Sequence, residues 1–263
     1  MKRNRTQSGR GYLFRVSSSS ICNYNCLFCR PQLNEPVDIL TKEEFAIIFS
    51  EINDIFEIKT VHFTGGEPLI RKDIGDLIYR TRKIGGNNLD IAITTNGSLL
   101  NEKIDEISNA GISRINVSLH TLNQNQYKKL TGTSDDKLLN KIIESIFIAV
   151  DRNITVKLNA VIIRNFNDNN IKDILDFSFE NGLIVRFLEF GLYEPVNKWF
   201  DKNTFISHDE IFCLVKKYFG NFERDFSYRG NGPTKYYQNE KGNIFGILDN
   251  QSDPSCCGLI ASE

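Results

Sequence analysis

The stretch Cys22-Asn-Tyr-Asn-Cys26-Leu-Phe28-Cys29 places three thiols on one short segment, in the spacing C-x3-C-x2-C. Thiolate is the usual protein ligand of iron–sulfur clusters, so three thiolates can hold three irons of a [4Fe–4S] cluster. The segment lacks a fourth ligand, which leaves one iron open to a small molecule. The stretch therefore predicts a cluster with Cys22, Cys26 and Cys29 as its ligands.

A zinc site and a disulfide are the alternative uses of these thiols. Structural zinc takes four ligands, commonly from paired C-x2-C or H-x3-H spacings. The sequence has no second C-x2-C, and its histidines, His62, His120 and His208, lie far apart. Disulfides suit secreted chains, and the first residues do not resemble a secretory signal. A cluster is therefore the favoured interpretation.

A second motif, Thr64-Gly65-Gly66-Glu67-Pro68, follows a β-branched and aromatic run over residues 60–64. Such a run is typical of a buried strand. Glycine lets the backbone approach a ligand closely, and Glu67 offers a carboxylate to an ammonium group. By itself the motif indicates only a turn. Because it follows the cysteine segment by one predicted strand, it indicates a ligand site.

Strand and helix signals alternate along the chain. Strands are predicted at 12–17, 60–64, 89–94, 113–119, 154–163 and 184–190, and helices at 41–58, 73–84, 101–110, 137–151 and 170–181. This alternation indicates an α/β fold with a parallel sheet and right-handed crossovers. The chemical motifs fall at the carboxyl ends of the strands, where parallel α/β folds bind ligands.

Composition limits the classes of function. The chain has 263 residues and a net charge of −1, so no global basic surface for nucleic acid is expected. No apolar stretch approaches the ~18 residues of a membrane span. The six cysteines suit a reducing cytoplasm. The basic residues 1–10 are expected to form a flexible, solvated tail, with a phosphate-attracting arm as the alternative.

Taken together, the motifs resemble those of radical S-adenosylmethionine (radical SAM) enzymes, and within them the GTP 3′,8-cyclases of molybdenum-cofactor synthesis. The matching segments are 13–17, 22–29, 64–74, 93–100, 114–119, 156–162, 186–190 and 232–237. The resemblance implies a partial (β/α)6 TIM-like barrel over residues 11–191. It also implies a C-terminal extension over residues 192–263 that packs on the barrel.

The resemblance implies a [4Fe–4S] cluster and S-adenosyl-L-methionine (SAM) as cofactors. One electron, from a donor such as flavodoxin or ferredoxin, cleaves SAM to a 5′-deoxyadenosyl radical that takes hydrogen from a small-molecule substrate. The cofactor carries the hard chemistry and the protein positions it. The implied cofactor-binding residues are Phe28 beside the adenine, Gly65, Gly66 and Glu67 near the methionine amino group, and Ser118, Asn159 and Gly191.

On the substrate side, Arg15, Thr94 and Lys157 match positions that contact the nucleoside triphosphate in the cyclases. Arg15 and Lys157 favour an anionic, phosphorylated substrate. His62 stands where that family has a triphosphate-contacting arginine, a departure that counts against GTP. His120 stands where the family usually has an aspartate, directly after Ser-Leu. It is a candidate proton donor or acceptor in catalysis, or a histidine that is simply hydrogen-bonded at a strand end.

The C-terminal part departs from the cyclase pattern. The adjacent Cys256 and Cys257 stand where the cyclases have three cysteines for a second cluster, and Cys213 is expected to pack in a helical core. We therefore expect a radical SAM enzyme that forms a C–C bond or rearranges a nucleotide-like substrate. The alternatives are an authentic GTP 3′,8-cyclase, a peptide-modifying radical SAM enzyme and an electron carrier.

Overall fold

The structure is a computed structural model that describes residues 11–29, 40–190, 203–227 and 234–248. The chain divides into two compact units: the first takes residues 1–23, 32–117 and 140–156, and the second takes 24–31, 118–139 and 157–263. The predicted basic tail over residues 1–10, together with Gly191, Cys256 and Cys257, lies outside the described residues. The division into a barrel and an extension at residue 191 stays a prediction.

Strands and helices alternate through most of the described chain. The strands are β1 (Tyr12–Ser17), β2 (Ile58–Thr64), β3 (Asp90–Thr95), β4 (Arg114–Ser118), β5 (Thr155–Ile162), β6 (Ile184–Glu189), β7 (Glu223–Arg224), β8 (Lys235–Gln238) and β9 (Ile244–Leu248). The helices are α1 (Lys42–Ile55), α2 (Ile74–Gly85), α3 (Leu100–Asn109), α4 (Gln124–Thr131), α5 (Leu138–Asp151), α6 (Ile171–Glu180) and α7 (His208–Phe219).

In the first unit, parallel strands lie in the order β1-β2-β3-β4. Side chains alternate between the two faces of a strand, so each strand here has an apolar and a polar face. The apolar face is fully buried and carries Val61, Phe63, Ile91, Ile93, Ile115 and Val117. The opposite face carries Arg15, His62, Thr94, Arg114 and Asn116, which the parallel register brings side by side.

Helix α1 begins where the sequence predicts, because Thr41 and Glu44 form a capping box at its first turn. Its buried residues are Phe45 and Phe49, and the Phe49 ring stacks on Phe14 of β1 at 6.0 Å. The predicted helix over residues 41–58 is wrong at its carboxyl end, because α1 ends at Ile55 and the chain turns into β2. Ile48, Ile55 and Phe56 are exposed.

In the second unit, the strands lie in the order β5-β6-β9-β8-β7, with β9 parallel to β6 and β8 antiparallel to both of its neighbours. Helix α7 buries Ile211 and Val215 and leaves Cys213 exposed. The prediction that Cys213 packs in a core is therefore wrong, because Cys213 lies two residues from each buried position, on another side of the helix.

The predicted strands of the α/β pattern all begin within two residues of β1 to β6. Helix α4 and strands β7 to β9 were not predicted. Each of these strands is short, and strand β9 carries a glycine in its centre, which weakens the propensity signal. Across the described residues, no helix has both the length and the apolar composition needed to cross a membrane.

We expect Phe49→Ala to lower the free energy of unfolding by about 3–5 kcal/mol, because a fully buried ring is replaced by a cavity. Ile47→Ala on the same helix is the matched control, since Ile47 is 65% exposed. That control should change stability by no more than about 0.5 kcal/mol. Urea unfolding followed by circular dichroism measures both. Equal effects of the two substitutions would contradict the assigned core.

Candidate active site

The predicted cluster ligands form no disulfide bond among the described residues: Cys22 and Cys26 are half-buried and Cys29 is exposed. In the second unit, Asn25 and Leu27 donate backbone hydrogen bonds to Thr131 and Leu130 at 3.1 and 2.9 Å, so α4 holds this part of the segment. Among the described residues, no three His, Cys, Asp or Glu side chains are arranged to hold a metal ion as they stand. A cluster fits the chemistry of the donor set, which is three thiols.

The glycine pair brings two pieces of backbone into contact in the first unit. Gly66 donates to Ser19 O at 2.6 Å and Glu67 donates to Ile21 O at 2.7 Å. A Cβ on Gly66 would lie 2.1 Å from Ile21 O, and one on Gly65 would lie 2.2 Å from Ser19 O. Only glycine therefore allows this loop to pack against the chain that leads into Cys22. Contact of the pair with SAM stays a prediction.

Glu67 is buried, and its carboxylate is used within the protein. Oε1 accepts from the Leu69 N–H at 3.0 Å and from the Thr95 hydroxyl at 2.7 Å, and Oε2 accepts from the Asn96 N–H at 2.7 Å. Burial raises the pKa of Glu67, while these three donors favour its ionised form. The Glu67 carboxylate therefore joins two loops, and its contact with an ammonium group stays a prediction.

The polar face of β1 to β4 assembles the predicted substrate residues of the first unit. His62 Nε2 lies 2.7 Å from Thr94 Oγ1 and 3.2 Å from Asn116 Nδ2. Arg114 donates to Asn116 Oδ1 at 3.1 Å, which fixes the amide so that Nδ2 faces His62. The His62 ring is therefore held by side chains of β3 and β4. Arg15 is exposed and lies opposite His62 in the strand register.

His120 and Phe28 are in contact in the second unit. Their rings meet edge to face with centroids 4.7 Å apart. His120 Nδ1 accepts the Val161 N–H at 3.1 Å, so a neutral ring carries its proton on Nε2. Burial lowers the pKa of His120 to about 4. This arrangement favours the interpretation of His120 as a hydrogen-bonded residue at a strand end over a proton-transfer role.

The remaining predicted residues of the second unit are engaged with the protein or lie at strand ends. Asn159 accepts from Arg186 Nε through Oδ1 and from the Leu119 N–H through its carbonyl, both at 2.9 Å. The Lys157 ammonium lies 5.5 Å from the centroid of the Tyr236 ring, a cation–π distance. Ser118 is half-buried at the end of β4. Their contacts with SAM or substrate stay predictions.

Asn96 is a residue that the sequence analysis left without a role. Its backbone N–H is held by Glu67, and its Nδ2 lies 3.7 Å from Cys22 Sγ. The sequence does contain a signal for Asn96, because the residue directly follows β3 in the run Thr94-Thr95-Asn96-Gly97. The other chemical motifs also lie at the carboxyl ends of strands.

The chain is similar in sequence to a known protein family and to two GTP 3′,8-cyclases. Residues 16–178 match the family model described as the Radical SAM superfamily. A GTP 3′,8-cyclase of Aquifex aeolicus (strain VF5) is 36% identical over 257 residues, which cover 94% of this chain and 76% of that protein. A GTP 3′,8-cyclase of Clostridium perfringens (strain SM101 / Type A) is 34% identical and is covered to 74% of its length.

Solved structures with the same fold include Streptococcus suis SuiB bound to S-adenosylmethionine, with a TM-score of 0.66 at 19% identity. The similarity covers 78% of this chain and 46% of SuiB, so the chain spans less than half of that protein. Methylornithine synthase (PylB) has a TM-score of 0.60 at 18% identity over 81% of this chain. These similarities confirm the predicted α/β fold of the partial-barrel type.

We expect Gly66→Ala to lower both the iron content after anaerobic reconstitution and the rate of 5′-deoxyadenosine formation from SAM, the latter at least about tenfold. The reason is the contact of the added Cβ with the Ile21 backbone, which must move together with Cys22. Gly182→Asn is the control, because its position (φ +63°) faces open space and Asn tolerates that conformation. Normal iron uptake and SAM cleavage in Gly66→Ala would show that the tight packing is dispensable.

We expect the stability of the wild type to fall relative to His120→Asn as the pH drops from 6.5 to about 4. In that window the unfolded chain protonates His120 and the folded chain does not, so protons favour unfolding. The free energy of unfolding of the wild type should fall by about 3 kcal/mol relative to the variant, because each pKa unit corresponds to about 1.36 kcal/mol. Urea unfolding at a series of pH values measures it. A difference that stays constant with pH would mean that His120 protonates in place.

Proposed function

Because the chain belongs to the radical SAM superfamily, we propose that it acts on GTP and joins C3′ of the ribose to C8 of the guanine. The observation that carries this proposal is the 36% identity to a GTP 3′,8-cyclase over 94% of the chain. Of the interpretations above, this similarity favours the GTP cyclase over a cyclase for another nucleotide-like substrate. The reaction class, a radical SAM enzyme of the cyclase or lyase type, follows from the family.

The cofactors of the superfamily are a [4Fe–4S] cluster and SAM, and Cys22, Cys26 and Cys29 supply the thiols for the cluster. When bound, they supply a 5′-deoxyadenosyl radical that takes a hydrogen atom from the substrate. The glycine pair holds the backbone next to Cys22, and Phe28 and Ser118 are the proposed SAM contacts. We also propose a small redox protein, such as flavodoxin or ferredoxin, as the electron donor.

The polar face of β1 to β4 supports a phosphorylated substrate. Arg15 is exposed there and offers a fixed positive charge, and a guanidinium suits a phosphate because it can donate two parallel hydrogen bonds. Beside Arg15, His62 stands in place of the arginine of the cyclases, and its Nε2 is already engaged with Thr94 and Asn116. In this proposal Arg15 therefore carries the main attraction for the phosphates, with Thr94 and Lys157 as further contacts.

The test uses the reconstituted chain under anaerobic conditions with SAM, dithionite and GTP labelled with deuterium at C3′. Bond formation at C3′ requires loss of that hydrogen, so we expect deuterium in 5′-deoxyadenosine and a cyclised product by mass spectrometry. ATP and GMP serve as competitors. If deuterium transfer and product appear with another nucleotide and not with GTP, the substrate assignment is wrong.

Arg15→Gln should raise the KM for GTP about tenfold or more, because a hydrogen bond to a charged group contributes about 1.5–3 kcal/mol. SAM cleavage without substrate should change little, since Arg15 is assigned to the substrate. Arg80→Gln is the matched control: Arg80 lies on α2 and pairs with Glu43 at the surface. An unchanged KM in Arg15→Gln would remove Arg15 from the substrate site.

A further inference from the structure

We propose that Asn96 is a positioning residue for the cluster: its amide N–H hydrogen-bonds to the Cys22 sulfur and raises the reduction potential of the cluster that Cys22 binds. The proposal rests on the superfamily assignment and not on the identity of the substrate. All the residues that carry it belong to the first compact unit.

The amide nitrogen of Asn96 has two hydrogens and two acceptors. Nδ2 lies 2.9 Å from Asn23 Oδ1 and 3.7 Å from Cys22 Sγ. The longer distance is normal for sulfur, whose radius exceeds that of oxygen. Since one hydrogen is directed to Asn23, the other is left for the sulfur, and the donor capacity of the amide is filled.

The orientation of the amide is set by its oxygen. Asn96 Oδ1 accepts from the Ser98 N–H at 2.9 Å and from the Ser98 hydroxyl at 2.7 Å. Asn23 Nδ2 in turn donates to Ser98 Oγ at 2.8 Å, which closes a ring of three side chains. A flipped Asn96 would place its oxygen against Asn23 Oδ1 and its nitrogen against the Ser98 N–H, so the nitrogen must face Cys22.

The distance between donor and sulfur is controlled by Glu67. Its carboxylate accepts the Asn96 backbone N–H at 2.7 Å, and its own backbone N–H donates to Ile21 O at 2.7 Å. One buried residue therefore holds both the strand end that carries the donor and the segment that carries the acceptor. Because Glu67 is only 1% exposed, water does not compete for these bonds.

The effect on the cluster follows from charge. Hydrogen bonds to the sulfurs are among the factors that set the potential of an iron–sulfur cluster, and groups behind the ligands tune metal sites in general. The reduced cluster carries one more negative charge than the oxidised cluster. An N–H donor to a cysteine sulfur therefore stabilises the reduced form more, and its removal should lower the potential.

The experiment compares Asn96→Leu with the wild type, both reconstituted as the full chain, without SAM and without GTP. Leu keeps the approximate size and the backbone N–H that Glu67 accepts, and it removes the side-chain donor. At a fixed solution potential we expect the ratio of reduced to oxidised cluster, measured by electron paramagnetic resonance, to fall about tenfold. For a one-electron couple this is a shift of about 59 mV to more negative potential.

Asn101→Leu is the matched control, since Asn101 is an exposed asparagine on the neighbouring α3 and the same substitution should leave the ratio unchanged. If Asn96→Leu takes up less iron than the wild type, Asn96→Ser replaces it as the test, because its short side chain cannot reach the sulfur. An unchanged or higher potential in an Asn96 variant with full iron content would overturn the proposal.

This result is separable from the proposed function, because the titration contains no nucleotide. If the reduction potential shifts in the Asn96 variant as expected but the wild type does not convert GTP, the role of Asn96 is supported and the substrate assignment is wrong. If the wild type converts GTP but the potential of the Asn96 variant is unshifted, the substrate assignment is supported and the role of Asn96 is wrong. Failure of the wild type to hold any cluster would count against both.

Discussion

The buried carboxylate of Glu67 is the interaction on which the site depends. With three donors on its two oxygens, and its own N–H bound to Ile21 O, it joins the end of β2, the end of β3 and the chain before Cys22. A charged group is costly to bury unless it is hydrogen-bonded, so each of these donors is needed. Loss of one donor would therefore disturb the other two contacts as well.

The sheet of the first unit separates stability from chemistry by its two faces. The apolar face buries β-branched and aromatic residues such as Phe63 and Ile93 in the core. The polar face carries a connected set of hydrogen bonds that holds His62 and Asn116 in single orientations. A substrate would therefore meet groups that are already oriented, which lowers the entropic cost of binding.

The α/β fold could be predicted from the sequence because segments with β-branched and aromatic residues alternate with helices that have an apolar face. The cysteine and glycine motifs likewise gave the family. The role of Glu67 could not be predicted, since its partners Leu69, Thr95 and Asn96 are identified only by the three-dimensional packing. Asn96 was missed for the same reason, because its relation to Cys22 joins residues 74 positions apart. Cys213 was misplaced because an apolar run does not reveal which side of a helix is buried.

The attachment of the second half of the cysteine segment to α4 has a consequence for the order of assembly. The hydroxyls of Tyr24 and Tyr127 are 3.0 Å apart although the residues are 103 positions apart in sequence. Asn25 and Leu27 likewise bond to residues at the end of α4. Contacts of such separation form late, because a long loop must close first. The cysteines are thus synthesised early, but the part of the segment that carries Cys26 and Cys29 is held in place only after α4 has been synthesised.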